Sequence, residues 1–379
     1  MNIRAAAILF LSCFALACAE DVPVSDAQGF RSAVSTAKPG TRIVLAGGNY
    51  GGGFHFANLR GEAGKPIIIA AADPKNPPLF SEAKAGIHLS KPAHVELHGL
   101  VFSKLSANGL NIDDGGVATE DGAHHVVMRG LRVTDVGDRG NEDGIKLSGL
   151  SEFQVVDCTV ECWGKGGGSA IDMVGCHLGL VEGNVFRHQD APGCSGVQCK
   201  GGTSEIAIQH NRFEDAGGRA VNIGGSTGLQ FFRPPLKPDG EHAEARKIRV
   251  EGNWFRGSVA PIVFAGADGG VVRFNTIERP SRWAFRILQE TKEPGFVPCR
   301  NGEITDNVII FESGKWSENG VNIGGGTAPE TFKFARNWWY CADRPDRSRP
   351  KLPTAETGGV YGNDPATAKG KAGADAWKK

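Results

Sequence analysis

Residues 183–225 read GNVFRHQDAPGCSGVQCKGGTSEIAIQHNRFEDAGGRAVNIGG, one structural unit written out twice. Each copy has an Asn, at Asn184 and Asn211, with an aromatic two positions on. A turn follows, and then a short strand, GVQCK or AVNIG, in which alternate residues are apolar. The chain on either side lies on the same template. One column runs Leu100, Leu131, Cys158, Asn184, Asn211, Asn253, Asn275, Asn307 and Asn337, at a period of roughly 22 to 32 residues with one interval stretched to 42. A second column, eight to thirteen residues behind it, starts at Gly109, Gly144, Ala170, Gly196, Ala220, Pro261, Ala284 and Gly320. Two short strands per fixed period are the signature of a β-solenoid.

Side chains alternate between the faces of a strand, so Val197 and Cys199 face inward while Gln198 and Lys200 face outward. The same reading puts Ile145/Leu147, Ile171/Met173, Val221/Ile223, Ile262/Phe264, Phe285/Ile287 and Val321/Ile323 on one continuous apolar wall. The Asn column belongs at the bend, where an amide bonds the backbone of the next coil and tolerates a left-handed conformation. At about 1 kcal/mol net per bond, six such residues in a row fix the register of the stack. The Asn residues therefore read as structural.

Residues 1–19 carry a basic residue at Arg4, the apolar run AAAILFLSCFALA, and small residues at Ala17 and Ala19. This predicts a secretory signal peptide, and hence a secreted or periplasmic protein. A cut before Cys18 would instead leave a lipid-modified N-terminus. No other segment has the length of a membrane span. Lys plus Arg equals Asp plus Glu at 42 each, which gives no reason to invoke nucleic acid. Seven cysteines lie beyond the leader with no zinc-type spacing, and their pairing does not follow from the sequence. Cys199, on the inward face, reads as a small hydrophobe.

Ser25 and Gln28 form a capping box for a short helix to about Ala37, expected to cover the open end of the solenoid. Residues 20–90 are the N-terminal cap and first coils, 91–340 the regular coils, and 341–379 a tail that wraps the other end or is loose. The longest insertion, between Asn222 and Glu251, leaves directly from the second column and is expected to overhang that face.

The outward centres of the second column read Asn111, Lys146, Asp172, Gln198, Asn222, Val263, Arg286 and Asn322, a polar strip suited to a long groove. Strands stack about 4.8 Å apart, which puts Asp172, Gln198 and Asn222 within roughly 10 Å. The backbone of Lys200 falls roughly 8 Å from that of Asp172, and the two glycines after it open access to its side chain. The plainer alternative is a surface ion pair between Lys146 and Asp172, worth about 0 to 1 kcal/mol. Trp283, Trp316 and Trp338 are candidates for stacking on sugar rings, although aromatics buried in turns are more common.

The repeat, together with FRSAVSTAKPGTRIVLAGGNYGG and GKPIIIAA near the N-terminus, resembles the right-handed parallel β-helix proteins of the pectate-lyase type. Within them it is most similar to the polysaccharide lyases related to chondroitinase B and alginate lyase. The resemblance implies an all-β, right-handed parallel β-helix with an N-terminal capping helix. It also implies a monomer acting on an acidic polysaccharide by β-elimination. There a Lys takes the C5 proton of a uronic acid, an Arg about twenty residues later assists, and calcium holds the substrate carboxylate. Lys200 falls where that Lys is expected. The Arg position falls at Asn222, so Arg219 or Arg286 is expected to substitute, with Lys146, Asp172, Gln198 and Asn222 holding the sugar. For calcium, only Glu142 and Asp143 lie near the start of the groove.

A Lys base needs its pKa brought down from about 10.4 towards 8, a differential of about 3 kcal/mol. A hydrolase would use two carboxylates about 5 to 9.5 Å apart, here Asp172 with Asp143 or Asp113. A carbohydrate-binding protein without catalysis is the third class, since a fold does not fix a function.

Overall fold

A computed structural model describes residues 21–116, 122–137, 140–189, 191–315, 320–367 and 372–376. Residues 1–20, which include the expected signal peptide and Cys18, and Trp316 lie outside the described residues. Among those described, no helix is long and apolar enough to cross a membrane.

The chain visits three sheets in turn, and every named strand pairs in parallel with the strand one coil away. One coil runs through His177–Glu182 in the first sheet, Val185–Gln189 in the second and Ser195–Lys200 in the third. The chain then re-enters the first sheet at Thr203–Gln209. The three sheets hold 13, 12 and 10 strands respectively, and the protein is a parallel β-helix.

Alternation sends one set of side chains into a common core. Phe186, Phe213 and Phe255, two residues after successive Asn residues, stack there with ring centroids 4.9 and 4.6 Å apart. The expected apolar wall is buried throughout except at Ile323, which is 40% exposed. Its strand, Val321–Ile323, is the last of the third sheet, so no further coil covers it.

The Asn column sits at the corner between the first and second sheets, fully buried. The side-chain amide of Asn184 donates to Oδ1 of Asn211 at 2.9 Å, and the chain continues through Asn253, Asn275 and Asn307 to Asn337. Each Asn also accepts the backbone N–H of the column residue before it, Cys158 for Asn184 and an Asn for the others, and donates to a backbone carbonyl, as Asn253 does to Ile208. The tail ends the ladder: Asn337 donates to Glu356, whose other oxygen accepts from Trp339 and Tyr361. Val360–Tyr361 adds a final parallel strand, so the tail wraps the open end.

At the other end, the helix Ala27–Thr36 buries Phe30 against Tyr50, Phe54, Phe56 and Phe80. Its N-cap is Asp26, which accepts from the backbone N–H of Gly29, and not the expected pair Ser25 and Gln28. A carboxylate one residue further on satisfies the third helical N–H, which leaves the Ser no role. The seven described cysteines form no disulfide with one another, and Cys199 packs inward as expected.

The insertion beyond Gly224 overhangs the third sheet. Glu244, fully buried, anchors it by accepting from the backbone N–H groups of Gly201 and Thr227 and from the hydroxyls of Thr227 and Thr291.

Candidate active site

Register on the outer face of the third sheet sets two parallel rows. His88, Asn111, Lys146, Asp172, Gln198, Asn222, Val263 and Arg286 stand at one level. Ser90, Asp113, Ser148, Val174 and Lys200 stand two residues further along their strands. Thr227, Phe231 and Arg233 of the overhanging loop close over the Asn111 to Lys200 part of these rows. The result is a cleft of about 410 Å³.

The floor is an alternating chain of charges. Lys146 Nζ lies 3.0 Å from Asp143 and 2.9 Å from Asp172, and Lys200 leans back one coil to put its Nζ 3.1 Å from the other oxygen of Asp172. Gln198 donates to that same oxygen at 3.2 Å, and Asn222 donates to Gln198 at 3.0 Å. The carboxylates are sealed, with the side chains of Asp143 and Asp172 each 3% exposed, whereas those of Lys146 and Lys200 are 31% and 17% exposed. A ligand therefore meets ammonium groups whose counter-ions lie beneath them. Arg233 adds a third cation, held at 2.7 Å by the buried carboxylate of Asp114.

Burial opposes charge on Asp172, but the ammonium groups of Lys200 and Lys146 outweigh it and hold its pKa below the ordinary value. Asp143 goes the other way, pushed up to about 6 by burial and by the charge of Asp172. Burial disfavours the Lys146 ammonium, yet Asp172 and Asp143 together raise its pKa. At the cleft edge, burial works against the Asp113 carboxylate. Hydrogen bonds from His88, Ser90 and the Gly115 N–H prevail and lower its pKa to about 2.

A depressed carboxylate stabilises the fold above its unfolded pKa and loses that contribution as pH falls through its folded value. Asp113→Asn is thus expected to cost roughly 2 kcal/mol at pH 7, with the difference from wild type vanishing between about pH 4 and pH 2. Denaturant titrations across that range are the check, and a pH-independent difference would remove the carboxylate from the account.

Of the residues singled out from the sequence, Lys146, Asp172 and Lys200 line the cleft, and Gln198 and Asn222 buttress Asp172. Arg219 and Arg286 do not join Lys200. Arg219 is in register with Ser195, five residues before Lys200, which is roughly 16 Å along the strand. Arg286 lies three coils beyond Gln198, roughly 14 Å away. Between them Val263, outward by alternation, is fully buried in a small apolar cluster with Ala260, Ala265 and Trp283. This cluster divides the expected groove. Beyond it Arg219 pairs with Glu290 at 2.6 Å, while Arg286 bonds Asn322 and lies over Trp283. Trp338 donates to the carbonyl of Asn363.

Sequence reasoning did not find Arg233, Phe231 or Asp114. The length of the insertion signalled a functional loop, but nothing in it told which of its residues turn back over the strands.

The cleft does not fit a calcium ion. Asp143 and Asp172 already close on an ammonium, Glu142 is not among the cleft residues, and no three carboxylates converge among the described residues.

A family model described as a right handed beta helix region matches residues 85–233. No curated protein matches the sequence. Among solved structures, the chain is similar to an alginate lyase from Paenibacillus sp. str. FPU-7, at 19% identity and a TM-score of 0.54, over 90% of this chain and 98% of that one. It is similar to a mannuronic acid specific polysaccharide family 6 lyase from human gut microbiota, at 13% identity and 0.53, over 94% and 96%. It is also similar to a lacto-N-biosidase from Eubacterium ramulus, at 12% and 0.51, over 89% and 66%. At these identities the likeness shows the fold, a right-handed parallel β-helix, and the shared fold spans both elimination and hydrolysis.

Proposed function

We propose that the protein is a carbohydrate-active enzyme that cleaves a uronate-containing polysaccharide by β-elimination in the cleft over Lys146, Asp172 and Lys200. The observation that carries this reading is the polarity of the floor, cations outward over buried carboxylates. An acidic polymer is attracted to such a surface, and a uronate carboxylate is neutralised by Lys146 and Arg233. The Lys200 ammonium first gives its own proton to solvent, and the resulting amine accepts the proton from C5. The C5 electron pair becomes the C4–C5 double bond, the C4–O bond breaks, and the leaving oxygen takes a proton from solvent water to depart as a hydroxyl, while Lys200 returns the C5 proton to solvent. Asp172, gripped by both lysines and Gln198, holds the Lys200 amine in place, which supplies orientation in advance of the reaction.

Hydrolysis has the right spacing but the wrong access. Asp143 and Asp172 share the Lys146 ammonium, so their nearest oxygens lie no more than about 6 Å apart, within the glycosidase range. Both are sealed beneath it, out of reach of a glycosidic oxygen.

The test is to incubate the protein, with and without calcium, with alginate, pectate, chondroitin sulfate and heparin-like polymers, following ultraviolet absorbance and reducing ends together. Rising absorbance reports the unsaturated uronate that elimination leaves. New reducing ends without absorbance would overturn the reading in favour of hydrolysis, and neither signal on the whole panel would leave a binding protein. On the substrate found, Arg233→Ala is expected to raise KM roughly tenfold with a smaller change in kcat, the pattern of a lost carboxylate contact made in both ground and transition states. A fall in kcat alone would count against that role.

A further inference from the structure

We propose that His94, His124 and His125 form a binding site for one divalent transition-metal ion of the zinc class, bridging two neighbouring coils on the outer face of the first sheet. The three rings each offer a nitrogen, and these atoms all lie within 4.8 Å of one another. None of the three lines the cleft.

The backbone is built to gather them. On a regular strand His124 and His125 would face opposite ways. Instead both face outward, between the buried Ala123 and Val126, because His125 drops out of the ladder: His124 pairs with Ala93 and Val126 with Val95. The residue left opposite His125 is His94. His94, His125 and Glu152 stack in left-handed conformations with φ of 50°, 53° and 54°. Such a conformation is uncommon outside glycine, with His among the residues enriched in it. It turns two His side chains of one strand and one of its neighbour towards a single point.

Glu152, from the next coil, places a carboxylate oxygen 2.8 Å from His125 Nδ1, which also lies 2.8 Å from His124 Nδ1; a carboxylate so placed orients an imidazole towards a metal through its other nitrogen. Three imidazoles suit zinc, copper or nickel and not calcium or magnesium, which take oxygen ligands. An ion here would tie the strands Ala93–His98 and Ala123–Arg129 together through their side chains.

The test uses the full chain without an affinity tag, stripped with a chelator, and titrated with zinc by calorimetry and with cobalt by visible absorption. One equivalent is expected to bind, with a tetrahedral cobalt spectrum and a higher melting temperature. His94→Ala and His124→Ala are each expected to weaken binding about tenfold or more. Lys200→Ala is expected to bind zinc as wild type does. Circular dichroism establishes that the variants are folded, and the more conservative His94→Gln and His124→Gln replace any that is not. No stoichiometric zinc binding by wild type, an octahedral cobalt spectrum, or undiminished binding in a folded His94/His124 double variant would each overturn the proposal.

Discussion

Lys200→Ala is expected to lower kcat/KM on the proposed uronate-containing substrate by roughly a thousandfold, within the range for losing a positioned general base. It should leave the fold intact. The side chain points away from the core, and its removal leaves Asp172 bonded to Lys146 and Gln198, so the buried carboxylate keeps partners. Lys146→Ala makes the contrast. Among the described residues Lys146 is the one cation shared by Asp143 and Asp172, and both carboxylates are buried, so its loss is expected to destabilise the protein as well as weaken substrate binding. Lys200→Arg separates charge from basicity: a guanidinium restores the cation but does not give up its proton. Activity in that variant should stay near that of the alanine variant. Steady-state rates from the ultraviolet assay, with melting curves on the same samples, are the measurement. Activity of Lys200→Ala within tenfold of wild type would remove Lys200 as the base and with it the proposed mechanism.

Asn253→Ala is expected to be the most damaging single change to stability, at roughly 3 to 5 kcal/mol by denaturant titration. Asn253 stands in the middle of the buried ladder and takes part in more than one bond at each end. Its oxygen accepts from both the backbone and side-chain amides of Asn211, and its own amide donates to the Ile208 carbonyl and to Asn275. Alanine leaves these groups buried without their partner, and an unsatisfied buried group costs about 1 to 3 kcal/mol. A whole domain is worth only about 5 to 15 kcal/mol, so the variant should show its loss plainly. Asn76→Ala, at an exposed residue outside the ladder, serves as the comparison and is expected to cost little. A cost for Asn253→Ala below about 1 kcal/mol would mean that the corner relaxes to satisfy itself and that the ladder does not set the register.

The solenoid, the inward wall and the Asn corner were legible in the sequence because each depends on a period. Two short strands per repeat fix the parallel stacking, alternation fixes which residues enter the core, and an Asn at the same point in coil after coil has a neighbour of its own kind to bond. The exceptions lie where the period stops. Ile323 faces inward by alternation but has no following coil to cover it, and the helix is capped one residue later than expected, by Asp26, whose carboxylate accepts from the Gly29 N–H.

The site was legible only as far as register reaches. Stacking places Lys146, Asp172, Gln198 and Asn222 in one row and Lys200 in the next, all from sequence. What the sequence could not supply depended on side-chain direction and on a non-repeating loop. Lys200 reaching back to Asp172, Val263 turning the open strip into a divided one, and Arg233 returning from the insertion to Asp114 have no period behind them. The outward histidines follow the same division: alternation assigns His124 and His125 to opposite faces, and only the left-handed turn in the folded backbone brings them together. The sequence by itself determined the repeating backbone and the order of residues along it. The tertiary structure alone decided which charges are buried and which meet a ligand, because that depends on the packing of segments that occur once.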